Sequence, residues 1–151
     1  MDTENWEQIT YADTVPFIPP ITIGKVVKIY DGDTITIAGR IPGQSTLYRF
    51  SVRLAGIDCP EMKSKTVSEK EMAQEAKAFV VSRIMGAVVK LQHVEMEKYG
   101  RLLARVLYVD ASGTEMCIND QLCEQRLAVS YDGGTKISPT NWREYYDLNL
   151  L

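Results

Sequence analysis

The chain is short of the residues that build the commonest reactive centres. It has a single histidine, His93, and three cysteines, Cys59, Cys117 and Cys123, among 151 residues. An odd number of cysteines with no C-x-x-C pair argues against a disulfide framework and against a zinc site. A lone histidine in a strand-like stretch leaves no partner for a Ser-His-Asp or Cys-His arrangement. No stretch approaches the ~20 apolar residues of a membrane span. The first twenty residues hold Asp2, Glu4, Glu7 and Asp13 and no base, so the basic-then-apolar pattern of a secretory signal is missing. The expectation is an intracellular, cytoplasmic protein that does not engage a membrane. Internal repeats and low-complexity tracts are also missing. An apolar share of 45% and a charged share of 25% suit one soluble domain with its own core. Nothing in the sequence fixes an oligomeric state, and a monomer is expected.

Charge needs a closer look. The net charge is -3, an awkward value for a protein that grips a polyanion. Its distribution is uneven. Residues 21–110 carry 14 bases against 10 acids, whereas residues 111–151 carry 3 against 6. A basic middle lies between acidic flanks, so the total does not exclude nucleic acid.

Residues 1–20 end in PFIPP and lack helical periodicity, which predicts an extended N-terminal arm ahead of a domain over 21–151. Trp6, Tyr11, Phe17 and Ile18 give the arm side chains that can pack on the body. ITIGKVVKIY and TITIAG flank Asp31-Gly32, a hairpin signal. LYRFSVRLAGI alternates through Tyr48, Phe50, Val52 and Leu54 and predicts a third strand ending at a Pro60 turn. SEKEMAQEAKAFVVSRIMG changes to a helical period, with Ser68 and Glu71 as a capping box and Gly86 closing it. Met72, Ala76, Phe79, Val80 and Ile84 share one face. AVVKLQHVEM and RLLARVLYVD predict two more strands. TEMCINDQLCEQRLA reads as a second helix, and SPTNWREYYDLNLL as a last one capped by Ser138 with Pro139 at its first position. The predicted fold class is mainly β (α+β): a five-stranded Greek-key barrel of OB type, with a helix between strands 3 and 4 and two short C-terminal helices.

Three stretches carry possible chemistry. In DGDT, Asp33 is in step with Ile35 and Ile37, so its carboxylate is predicted on an apolar face, where it loses solvation unless paired or bound to a cation. An EF-hand is excluded because Ile35 and Thr36 stand where that loop needs oxygen and glycine. FSVRLAGIDCPE puts Arg53 on a strand and Asp58 and Glu61 around a proline turn. EKYGRLLARV sets Arg101 at a strand start. Each alone reads more readily as a turn, a surface acid or a solvated arginine. Together they offer hard oxygen groups, Asp33, Asp58 and Glu61, beside two guanidiniums. Oxygen ligation suits calcium or magnesium. A cation with two arginines is what phosphodiester cleavage needs.

The ordered set DGDT, RLAGIDCPE and EKYGRLLARV resembles the staphylococcal nuclease (thermonuclease) family over residues 21–136. The resemblance implies an endonuclease that is calcium-dependent (magnesium or manganese as alternatives), cuts DNA and RNA, prefers single-stranded or frayed substrate, and leaves 3′-phosphates. It implies Asp33, Asp58 and the Cys59 carbonyl as metal ligands. Glu61 would be the general base, and Arg53 and Arg101 would bind the scissile phosphate. Asp31 and Thr34 would support the metal site, and Lys98, Tyr99 and Tyr131 would line the nucleotide pocket. Cys59 stands where the family usually has threonine, and the C-terminal segment is shorter and less basic than the family's. Two competing readings are a non-catalytic nucleic-acid or protein-binding module of the same fold and a structural barrel whose arm mediates oligomerisation.

Overall fold

The computed structural model describes residues 5–134 and 137–148. The strands are β1 (Ile23–Asp31), β2 (Thr34–Gly39), β3 (Tyr48–Leu54), β4 (Ile57–Asp58), β5 (Val88–Met96), β6 (Leu102–Val109), β7 (Glu115–Cys117) and β8 (Val129–Ser130). The helices are α1 (Val67–Ile84), α2 (Ile118–Glu124) and α3 (Trp142–Asp147). The main sheet runs β3-β2-β1-β5-β6-β7, and a β3–β6 pairing joins its ends. That closing pair is parallel, Val52 to Leu102 through Leu54 to Ala104, whereas the other strand pairs are antiparallel. Five strands thus close the predicted barrel, with α1 between β4 and β5 in the chain. No helix among the described residues is long and apolar enough to cross a membrane.

Alternation builds the core. Val26, Ile35, Ile37, Val52, Leu54, Val89, Ala104 and Val106 are fully buried. Each large aliphatic among them contributes about 1.5–3 kcal/mol by leaving water. Helix α1 adds Met72, Ala73, Ala76, Val80 and Ile84, close to the predicted face, with Phe79 at its edge. Trp142 of α3 is buried in the same cluster and meets the Tyr145 ring edge-on.

Several boundaries differ from the sequence reading. The third strand does not run on to Ile57. It breaks at Gly56, which holds φ +78°, a conformation that favours glycine. The next two residues form β4 and pair with β8, which redirects the chain toward Asp58. The hairpin turn falls on Gly32-Asp33, since Asp31 pairs with Thr34. Asp33 therefore lies outside the strand alternation and owes its burial to tertiary neighbours. Helix α1 starts at Val67, after Thr66. The Ser68–Glu71 box is replaced by Ser64, whose Oγ accepts from the Thr66 N–H and donates to Glu69. Glu115–Cys117 pairs with β6 as a strand before α2 begins. Helix α3 is capped by Asn141, whose side chain accepts from the Glu144 N–H, rather than by Ser138. The Asn141 side-chain oxygen stands three residues before the Glu144 amide it satisfies, the spacing of an N-cap to the first turn. Residues 1–4, 135–136 and 149–151 of the predicted segments lie outside the described residues. In the arm, two single 3-10 turns cover Trp6–Gln8 and Tyr11–Asp13. Trp6, Tyr11 and Phe17 are exposed rather than packed on the barrel.

Candidate active site

The barrel's closing seam positions the site. Val52 and Leu54 of β3 point into the core, so Arg53 points out. Arg53 pairs with Thr34 on one side and Leu103 on the other. Arg101, two residues before Leu103, falls on the same outer face. This arginine face is not solvated, as strand alternation alone would suggest. The Arg53 side chain is only 13% exposed, held against the Leu54 carbonyl and the Asp33 and Asp58 carboxylates.

Arg53 joins the acids. One Nη donates to the Leu54 carbonyl at 2.8 Å. The other lies 3.4 Å from Asp58 and 3.6 Å from Asp33. Asp33 Oδ2 also accepts from the Cys59 N–H at 3.1 Å, and its Oδ1 from the Thr34 hydroxyl. The hairpin tip that carries Asp33 reaches this place because residue 32 is glycine. A Cβ there would stand 2.9 Å from both the Ala76 Cβ and the Cys59 Sγ. The Cys59 thiol is thus packing material. Burial pushes its pKa well above the ordinary range, which suits an inert side chain whose backbone does the positioning.

Arg101 is held by a residue the sequence reading passed over. Glu97 accepts from Arg101 Nε at 3.2 Å and from Nη2 at 3.2 Å, a forked pair. It also accepts from the backbone N–H groups of Tyr99 and Arg101. Arg101 Nη1 faces the Thr34 hydroxyl at 3.3 Å. Burial works to raise the Glu97 carboxyl, but the hydrogen bonds from Arg101 outweigh it and hold it low. The i, i+4 spacing of Glu97 and Arg101 was a visible signal, hidden because the stretch is a turn and not a helix. Glu69 was missed too. It accepts from the Glu61 N–H at 2.8 Å and so ties that loop to α1.

A cavity of about 560 Å3 opens over this seam. Arg53, Asp58, Glu61 and Arg101 line it, together with Lys98, Tyr99 and Tyr131. Lys98 Nζ sits 5.1 Å from the Tyr99 ring centre. Tyr131 is brought in by β8, where its N–H bonds the Gly56 carbonyl. Asp33, Thr34, Asp31 and Cys59 do not line the cavity. They stand one contact deeper, Asp33 through Arg53 and Thr34 through Arg101. His93 is exposed, at a bulge in β5, and away from the cavity.

Among the described residues no group of three His, Cys, Asp or Glu side chains is arranged to hold a metal ion. The oxygen set is smaller: two buried carboxylates, Asp33 and Asp58, that meet at the Arg53 guanidinium. Such a set fits a hard cation that keeps several waters. A surplus of negative charge points the same way. Burial, and then its neighbour Asp33, raise the Asp31 pKa from 3.8 to about 7. Asp31 favours the folded state fully below its unfolded value near 3.8, and that advantage is lost as the pH rises through about 7. Without divalent cation, Asp31→Asn should therefore raise the melting temperature at pH 8 and leave it nearly unchanged near pH 4. Thermal melts across that range check this; a variant less stable at pH 8 contradicts it.

Comparison with known proteins agrees with the fold. The family profile described as staphylococcal nuclease homologue matches residues 51–148. An endonuclease, Htp3, of Saprolegnia parasitica is 31% identical over 117 residues, covering 72% of this chain and 55% of that protein. A probable endonuclease of Schizosaccharomyces pombe is 31% identical over 128 residues, covering 73% and 56%. The thermonuclease of Staphylococcus hyicus is 33% identical over 106 residues, covering 69% and 56%. The chain spans about half the length of these relatives. With a closed five-stranded barrel and a matching profile over most of its length, the chain belongs to the staphylococcal nuclease family.

Proposed function

We propose that the protein is a calcium-dependent endonuclease that hydrolyses phosphodiester bonds of DNA and RNA and leaves 3′-phosphate ends. The observation that carries this reading is the convergence of Arg53, Asp58, Glu61 and Arg101 on one cavity flanked by two tyrosines. The catalytic unit is residues 21–151, acting as a monomer, with residues 1–20 as an arm outside it.

Asp33, Asp58 and the Cys59 carbonyl would hold the calcium ion, which would supply Lewis-acid polarisation of the phosphoryl group. Magnesium or manganese would be weaker substitutes in the same oxygen set. Glu61 takes a proton from the attacking water. The water oxygen bonds to phosphorus, the bond to the 5′ oxygen breaks, and that oxygen leaves as a hydroxyl by taking a proton from solvent water, while Glu61 returns its own proton to solvent. Arg53 and Arg101 balance the negative charge that builds on the phosphoryl oxygens. A guanidinium is too weak an acid to give up its proton, so both act by charge and hydrogen bonding alone. Tyr99 and Tyr131 offer rings to splayed bases, which favours single-stranded or frayed substrate.

A plasmid-nicking assay tests the reading. Cleavage is expected with calcium, at a lower rate with manganese or magnesium, and none with a chelator. Binding of single strands without cleavage under any of the three ions would favour the non-catalytic module instead.

A further inference from the structure

The first cavity does not use all the cationic concave surface of the molecule. A second one, of about 470 Å3, is lined by Lys28, Ile29 and Tyr30 of β1, Met62 and Lys63 of the following loop, and Lys77 of α1. No acid lines it. None of its three lysines has an ion-pair partner among the described residues. Tyr30 is 52% exposed. Single exposed lysines need no explanation. Three of them from three separate elements, converging without a carboxylate in a chain of net charge -3, are a local departure from the rest of the surface. They repel one another, and such a cluster is relieved by a bound polyanion.

Its location narrows the occupant. Met62 and Lys63 directly follow Glu61, which lines the first cavity. Tyr30 directly precedes Asp31, beside the hairpin tip. The two concavities are therefore neighbours along both chain segments that border the site. Cations with an exposed aromatic ring are the combination that tracks a single nucleic-acid strand, phosphates on the charges and a base on the ring.

We propose that this second cavity is a subsite for the phosphate backbone of the single strand that leaves the cleavage site. Lys28, Lys63 and Lys77 hold phosphates beyond the scissile one, and Tyr30 stacks an adjoining base. The proposal rests on the nuclease reading of the first cavity and extends its substrate from a single linkage to a strand.

The test compares substrate lengths. The triple variant Lys28→Gln, Lys63→Gln, Lys77→Gln and the single variant Tyr30→Ala are assayed with calcium. The substrates are a dinucleotide and a single strand of about twelve nucleotides, within the reach of single-strand channels. On the longer substrate the triple variant should lose about tenfold in kcat/KM at low salt, and the slope of log kcat/KM against log salt should flatten by about 2. On the dinucleotide it should match the wild type. Equal losses on both substrates, or none on either, would overturn the subsite. Melting temperatures show that the variants are folded. Anisotropy with labelled oligonucleotide and Glu61→Gln protein, with and without the lysine changes, separates the two levels of the argument. Lysine-dependent binding by a wild type that cuts nothing keeps the subsite and sinks the nuclease reading. Cutting of both substrates without lysine dependence does the reverse. A polyglutamate peptide that binds the wild type as tightly as the oligonucleotide would also overturn the assignment to nucleic acid.

Discussion

Glu61→Gln protein is expected to fold with a melting temperature close to the wild type and to cut nucleic acid about 10²–10⁴-fold more slowly, the range for loss of a positioned general base. The substitution keeps size and hydrogen-bonding shape and removes the ability to accept a proton. The backbone should stay in place, since the Glu61 N–H is anchored by the Glu69 carboxylate. The loss should fall on kcat, because the carboxylate matters most as the water's proton leaves. Wild-type rates in Glu61→Gln would remove this residue from the chemistry.

Arg101→Ala is the second large effect, about 10²–10³-fold in rate, or roughly 3–4 kcal/mol of lost transition-state stabilisation. Arg101 is the better probe of the two arginines. Removing Arg53 would leave Asp33 and Asp58 side by side without the cation that joins them, and folding would be confounded with catalysis. Arg101 instead leans on Glu97, which occupies Nε and Nη2 and leaves the Nη1 edge toward Thr34 and the cavity. The guanidinium is thus fixed before substrate arrives, and no ordering cost is met in the transition state. Arg101→Lys should recover little of the rate, because an ammonium cannot reproduce the fork that Glu97 grips. Single-turnover rates on one oligonucleotide, normalised to folded protein, measure both. Recovery to within a few-fold in Arg101→Lys would mean that only a point charge is needed.

The parts of this architecture that were legible in the sequence are the local ones. Alternation marked β1, β2, β3, β5 and β6, and the change of period marked α1. The three short motifs named the side chains, and their order named the family. The rest depended on partners distant in the chain. The Gly56 break could not be read as a break, because what it accomplishes is a pairing of β4 with β8, some seventy residues later. The hairpin turn was placed one residue early. Its position is fixed by the fit of Gly32 between Ala76 and Cys59, which no local rule contains. Glu97 and Glu69 carry no local mark of their roles, which come from the arginine and the backbone amide they meet in three dimensions. The exposure of Trp6, Tyr11 and Phe17 had no local signature either, since an apolar residue says nothing about whether a partner surface lies within reach.

The central claim is that Asp33 and Asp58, the two carboxylates that meet at Arg53, together hold one divalent cation. Calorimetric titration of calcium into the wild type and into Asp33→Asn and Asp58→Asn tests it most directly, with a non-hydrolysable dinucleotide present to complete the site. One ion per chain is expected for the wild type, and a large loss of affinity in each variant, with both still folded. Unchanged affinity and stoichiometry in either variant would contradict the account.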